Sequence, residues 1–238
     1  MDSTTSSRSP RVVPVGRALA WFGEAVRLWK RGPIAFSVMA AIVLATSIFL
    51  GPVPIAGLIA SNVVAPLLAC GFLYGSLAAD RDDRPRPTHL VAVFTAPLSA
   101  QAAVVAAGLI ATLLESAVAW SLAGINLLVP GADMSQLSPS AVVAIYAGDV
   151  LASLPLTFVP MAVLFDGERP GTAFASSLRA FAMNLRPMLG LAAYSFALVL
   201  VGLATMGVGL VLALPWIAAA SYAAWKDIFG LAPGGEVT

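Results

Sequence analysis

The chain has 238 residues, of which 59% are hydrophobic and 11% charged, with a mean hydropathy of +0.91. Soluble domains carry about 25% charged residues, so a water-soluble globular fold is excluded. Apolar runs longer than 18 residues recur, enough to cross a hydrocarbon core about 30 Å thick. These runs are apolar on all sides, which also excludes the alternating segments of a membrane β-barrel. The composition predicts an all-α, polytopic membrane bundle: six transmembrane helices in three hairpins, with interfacial amphipathic helices on the cytoplasmic side. A net charge of +1 gives no reason to expect a nucleic-acid partner; the placement of charge is what carries information.

Residues 1–13 are polar and patternless and read as a disordered tail. The first 32 residues hold no early apolar h-region or small-residue cleavage site, so no cleavable signal peptide is expected and the first membrane helix serves as the insertion signal. From Pro14 the pattern is helical, and a single membrane domain runs over 14–230. Leu19, Phe22, Val26 and Trp29 share one face, while Arg17, Glu24, Arg27, Lys30 and Arg31 lie elsewhere. That pattern fits a helix in the headgroup layer or a lead-in helix packed on the bundle.

Pro33 opens the first span, about 33–50, since proline fits a first helical turn. A four-residue turn, Gly51-Pro52-Val53-Pro54, leads into the second span, about 55–79, with Pro66 as an interior bend. Ser61, Ala65 and Ala69 and the pair Gly71/Gly75 allow close helix packing. The single cysteine, Cys70, excludes an intramolecular disulfide and reads as a buried inert thiol. Residues 80–87 form a solvated charged loop, after which Thr88 can cap a short interfacial helix through Phe94. That segment holds His89, the only histidine; without further His or Cys partners no metal site is expected there.

The third span runs about 97–122 from Pro97, and the fourth about 140–165 with Pro155 and Pro160 inside. Between them, 124–139 is the longest loop on the far side. Residues 170–184 are again amphipathic, with Phe174, Leu178, Phe181 and Leu185 on one face. The fifth span runs about 187–206 from Pro187, and the sixth about 208–228; residues 231–238 form a short tail. All 13 Lys and Arg lie before the first span, between the second and third, between the fourth and fifth, or at the end of the sixth. The positive-inside rule then puts both termini in the cytoplasm.

Three rough copies of one unit emerge. Pro33, Pro97 and Pro187 each start an odd-numbered span, Pro66, Pro155 and Pro215 each interrupt the next, and Asp80, Asp166 and Asp227 stand where it returns. A carboxylate at a helix C-terminus opposes the helix dipole, so pairing with a neighbouring unit's Arg31, Arg86 or Arg186 is one expectation. The stretches Trp21-Phe22-Gly23-Glu24-Ala25-Val26-Arg27-Leu28-Trp29, Ser177-Leu178-Arg179-Ala180 with Asn184 and Pro187, and Ser221 through Phe229 resemble an uncharacterised bacterial inner-membrane family. That family is similar to the membrane domains attached to some glycerophosphodiester phosphodiesterases. The resemblance covers about 15–230 and implies a six-helix bacterial plasma-membrane protein; it implies no substrate, and the soluble phosphodiesterase domain is missing from this sequence.

Two ionisable residues fall inside spans. Glu115 lies about 10 Å and Asp149 about 13 Å from the outer end of their helices, at 1.5 Å per residue. Gly108, Ala111, Thr112, Glu115 and Ala119 form one stripe, and Tyr146, Asp149, Ser153 and Thr157 another. Glu115 and Asp149, with Tyr146, Ser153 and Thr112, are the candidate proton, cation or polar-network site, because intramembrane carboxylates are functional by default. The alternative is a neutral network satisfied by those hydroxyls or by water. No catalytic triad, phosphate-binding glycine loop or metal cluster is legible, so no cofactor and no enzymatic activity are expected. Membrane lipid and other membrane proteins are the expected partners. A protein binding lipid or membrane partners is the first functional reading, and a small proton- or cation-coupled transporter the second.

Overall fold

The computed structural model describes residues 9–51, 53–126, 128–129 and 138–230; residues 1–8, most of the loop 124–139 and the segment 231–238 lie outside them. All regular structure among the described residues is helical. In chain order it comprises α1 (Arg17–Lys30), α2 (Pro33–Leu50), and α3 (Pro54–Ile59) continuing through a π-helical turn (Ala60–Val64) into α4 (Ala65–Asp80). A 3₁₀ segment (Pro87–Thr95) and α5 (Leu98–Ala123) follow. Next, α6 (Pro139–Ser153) passes through a 3₁₀ turn (Leu154–Leu156) into α7 (Val159–Leu164), and α8 (Pro170–Met183), α9 (Leu185–Ala204) and α10 (Leu210–Ile228) complete the chain. Consecutive helices pack on each other: α2 on α4, α5 on α6 and α7, and α9 on α10.

Five stretches are long and apolar enough to cross a membrane: Pro33–Leu50, Ile55–Asp80, Leu98–Ala123, Ser140–Leu164 and Leu185–Ala204. The protein is therefore a multi-pass, membrane-embedded helical bundle. The expected sixth span, α10, is not among the five, because Pro215, Trp216, Tyr222, Lys226 and Asp227 dilute its apolar content. Its position explains why that is tolerated. α10 packs against α1, α2, α4 and α9 and buries Ala213, Ala219, Ala220, Tyr222, Ala223, Ala224 and Trp225. A helix surrounded by protein does not need an apolar exterior, and its alanines let neighbouring backbones approach closely.

The interior prolines are accommodated in three different ways. Pro66 lies inside a helix that runs without interruption from Ile55 to Asp80, directly after the π-helical turn Ala60–Val64, whose wider ring accommodates the N–H that proline lacks. The fourth expected span is divided, with Pro155 in the 3₁₀ turn and Pro160 in the first turn of α7. Backbone groups freed at that break are satisfied by Ser177 of α8, whose Oγ donates to the Pro155 carbonyl at 2.7 Å and accepts the Phe158 N–H at 3.2 Å. Repair by a neighbouring hydroxyl is how a break survives at membrane depth. Pro215 lies inside α10.

The glycine pair packs as expected. A Cβ on Gly71 would stand 2.4 Å from Leu90 Cα, and one on Gly75 would stand 3.0 Å from the Phe36 ring. These contacts seat α4 against the 3₁₀ segment and against α2. Ser61 and Ala69 are exposed, so close packing belongs to the glycines. The 3₁₀ segment starts at Pro87, and the N–H just before it, that of Arg86, is accepted by His89 Nδ1 at 3.3 Å. His89, not Thr88, makes that capping bond.

The two amphipathic helices turn different faces inward from those their periodicity predicts. In α1 the buried stripe is Ala18, Trp21, Ala25 and Leu28, and Leu19 is 63% exposed. In α8 it is Ala173, Ser176, Ser177 and Ala180, while Leu178 is 56% exposed. Small or hydrogen-bonding residues face the protein, and several of the larger aliphatic ones face outward. Residues 9–13 also depart from the expected tail. Val13 is buried, Arg11 N–H bonds the Ile228 carbonyl at 2.8 Å, and Asn184 fixes both sides of the segment. Asn184 Oδ1 accepts the Val13 N–H at 2.8 Å, and its Nδ2 donates to the Arg11 carbonyl at 3.0 Å.

Candidate functional site

Asp80 and Asp227, at returning helix ends, sit in ion-pair networks at the basic end of the bundle. Asp80, the last residue of α4, has a side chain only 2% exposed. It accepts from Lys226 Nζ at 2.5 Å and from the Tyr222 hydroxyl at 3.1 Å, both on α10, and lies 3.5 Å from the Arg27 guanidinium on α1. Asp227 joins α10 to the chain's start: Oδ2 accepts from Arg17 Nε at 2.6 Å and Trp21 Nε1 at 2.9 Å, and Oδ1 from Arg11 at 3.2 Å. Pairing across units thus exists at Asp80 and Asp227, but with other partners than Arg31, Arg86 or Arg186. Arg31 bonds Asp82 instead. Lys226 and Tyr222 were hidden because an i, i+4 pair on an apolar helix reads as interfacial anchoring; the signal available was the carboxylate set against the helix dipole.

Between α1 and α10 these groups wall a cavity of about 350 Å³, lined by Arg11, Arg17, Trp21, Glu24, Tyr222, Lys226 and Asp227 together with small alanine surfaces. Glu24 is held one turn away from Arg27 on the same helix, and the Arg27 guanidinium keeps its carboxyl below the usual range. The cavity combines cations, aromatic rings and engaged carboxylates at the basic end of the bundle. An anionic or zwitterionic group of a few heavy atoms fits that chemistry.

The sequence candidates lie elsewhere. α5 and α6 pack together, and a Cβ on Gly148 would touch Val118 Cγ1 at 2.9 Å, which fixes their register. Glu115 is one turn from Val118 and Asp149 adjoins Gly148, so the carboxylates stand within about one turn of each other in depth. They are within electrostatic reach of one another and of Tyr146. Both are half-buried. Among the described residues neither forms an ion pair or accepts a hydrogen bond from Tyr146, Thr112 or Ser153. Ser153 Oγ instead donates to the Val150 carbonyl at 2.9 Å.

A second crevice, about 300 Å³, opens at the α6–α7 break among Pro66, Cys70, Gly108, Ser153, Thr157 and Met161. Its hydroxyls bond back to their own helix, Thr157 Oγ1 to the Ser153 carbonyl at 3.3 Å, and leave an apolar lining. Cys70 is buried and free, its thiol directed at the Pro66 carbonyl. Four further polar atoms among the described residues are buried without a partner: Asn62 Oδ1 in the π-helical turn and the indole N–H groups of Trp29, Trp216 and Trp225. No group of three His, Cys, Asp or Glu able to hold a metal ion occurs among the described residues. Comparisons with protein-family models, with curated proteins and with solved structures find no match to this chain.

Proposed function

We propose that the chain is a non-enzymatic protein of the bacterial inner membrane, with six crossings and both termini in the cytoplasm, that binds membrane lipid at its cytoplasmic face. In this reading α10 is the sixth crossing, sheltered inside the other five. The proposal includes membership of the inner-membrane family that the Trp21–Trp29 and Ser221–Phe229 stretches resemble. One observation carries the lipid reading: at the basic end, exposed aliphatic side chains such as Leu19 and Leu178 stand beside arginines on α1 and α8. Such a surface inserts apolar groups at the headgroup boundary while its cations meet lipid phosphates.

Orientation is tested with single cysteines in a Cys70→Ala background, at Asp83 and at Gly51, labelled in intact cells with a membrane-impermeant maleimide. Labelling at 51 and protection at 83 is expected; the reverse pattern overturns the topology. Lipid binding is tested by titrating the purified protein with anionic and with neutral phospholipid. Equal affinity for the two removes the lipid reading.

The second reading, a proton- or cation-coupled transporter, is favoured by the approach of Glu115 and Asp149 at one depth on adjoining helices. It requires flux in proteoliposomes that Glu115→Gln or Asp149→Asn abolishes. Absent flux, or flux unchanged in both variants, eliminates it.

A further inference from the structure

We infer that the cavity between α1 and α10 is a binding site for the phosphate of an anionic phospholipid headgroup, held by Arg11 and Arg17. The inference rests on the lipid-binding reading above and gives it a place and a ligand class. Its basis is a charge imbalance among the ion pairs around this cavity. Around the basic end, Arg27 pairs with Glu24, Arg31 with Asp82, and Lys226 with Asp80. Arg11 and Arg17, by contrast, share a single carboxylate, Asp227. Among these described pairs the five cations face four carboxylates, and the surplus positive charge belongs to the Arg11–Arg17 pair.

The donors are also in surplus. Asp227 Oδ2 is filled by Arg17 Nε and Trp21 Nε1, and Oδ1 by Arg11. Arg17 uses only Nε in these bonds, and a guanidinium carries five N–H donors. The terminal N–H groups of Arg17 stay unengaged among the described residues, on a side chain that lines the cavity. Asp227, 12% exposed, orients the forks that a phosphate would meet. A phosphodiester supplies what is missing: a negative charge, and oxygens spaced to accept two parallel N–H groups from one fork. Glu24, on the same wall, is engaged by Arg27 and so does not repel an anion as a free carboxylate would.

The location selects a lipid. α1 carries Leu19 outward, 63% exposed, between the cavity-lining Arg17 and Ala20 in sequence, and in the proposed orientation this end of α1 meets the headgroup layer. A zwitterionic headgroup brings no net charge to offset the surplus, so an anionic one is preferred.

The test uses the purified full-length protein in neutral detergent. It is titrated with phosphatidylglycerol, with phosphatidylcholine and with soluble glycerol phosphate, and bound lipid is counted by native mass spectrometry. Two variants probe the site: Arg17→Gln removes the fork, and Ala20→Phe fills the cavity without altering charge. Arg31→Gln, in a pair outside the cavity, is the control. Phosphatidylglycerol is expected to bind about tenfold more tightly than phosphatidylcholine, and both site variants to lose about that factor while the control keeps it. Thermal melts accompany each variant, and Ala20→Phe, at an exposed position, keeps the parent midpoint. A preference retained in both site variants overturns the site and leaves the lipid reading standing. Equal binding of both lipids by the parent overturns the lipid reading and the site together. Glycerol phosphate binding as tightly as phosphatidylglycerol overturns the assignment to lipid.

Discussion

Removing Lys226 isolates the most deeply buried carboxylate of the bundle. In Lys226→Met the Asp80 side chain, 2% exposed, loses a partner at 2.5 Å that is itself only 13% exposed. At an effective dielectric of about 20, that separation corresponds to roughly 6–7 kcal/mol of attraction. Much of it merely offsets the desolvation of both ions, and breaking buried pairs costs about 3–5 kcal/mol. The Tyr222 hydroxyl at 3.1 Å and Arg27 at 3.5 Å remain, so the low end, about 3 kcal/mol, is expected. At a few degrees per kcal/mol for a chain of this size, the melting midpoint falls by about 10 °C. The assay is thermal unfolding of the detergent-solubilised protein, with Asp80→Asn and the double variant completing a cycle. Because the double variant has no unpaired charge, it should recover more than half of the loss. If Lys226→Met melts within 2 °C of the parent, or if the two substitutions simply add, the carboxylate is not held by Lys226 and the tie between α4 and α10 lies elsewhere.

Asn184→Ala leaves the buried Val13 N–H without an acceptor, which costs about 1–3 kcal/mol; it should speed hydrogen exchange at Val13 more than anywhere in α9, and uniform acceleration would refute the local assignment. Gly71→Leu must push Leu90 aside, at about 1–3 kcal/mol for overpacking, so it should lower the melting midpoint more than the same change at Gly23, where nothing stands within 4 Å. Burial holds the His89 imidazole below its ordinary value of 6.5, so the folded state binds fewer protons there than the unfolded chain. Stability from this site is present above pH 6.5 and is lost as pH falls through the depressed value, when the protonated ring can no longer accept the Arg86 N–H. His89→Gln should flatten that part of the midpoint-versus-pH curve, and an unchanged curve would show that another group titrates.

How much of this was legible in the sequence depends on whether the deciding partner was local. The five spans were, because membrane crossing is a property of a single run of residues. The glycine pair in α4 was, because two glycines four residues apart on an apolar helix signal a close backbone approach by themselves. The inward faces of α1 and α8 were not. In water, the apolar stripe of a helix marks the core; beside a bilayer, large aliphatic side chains are equally at home against lipid, so Leu19 and Leu178 point outward while Ala25 and Ser177 point in. Ser177 illustrates the second obstacle. Its role is to repair a break about twenty residues away, and nothing in the stretch around it announces that Pro155 and Phe158 will need a hydroxyl.

The candidate site divides along the same line. Glu115 and Asp149 stood out because a carboxylate in an apolar run is anomalous by itself, and the packing of α5 on α6 does bring them to one depth. Asp227 stood out only as one of three recurring helix ends, and its partners could not be named, since Arg11 and Arg17 lie more than two hundred residues away. What makes the Asp227 site chemically distinctive is a mismatch of two guanidiniums to one carboxylate, a property of the assembled end and not of any segment. The low hydropathy of α10 belongs to the same cause. A helix at the centre of the bundle can carry Tyr222, Lys226 and Asp227 because α1, α4 and the strap at 9–13 close over them. Of the residues that lower its resemblance to a membrane span, Tyr222 and Lys226 hold Asp80 of α4, Asp227 binds the N-terminal segment to the bundle, and all three wall the cavity.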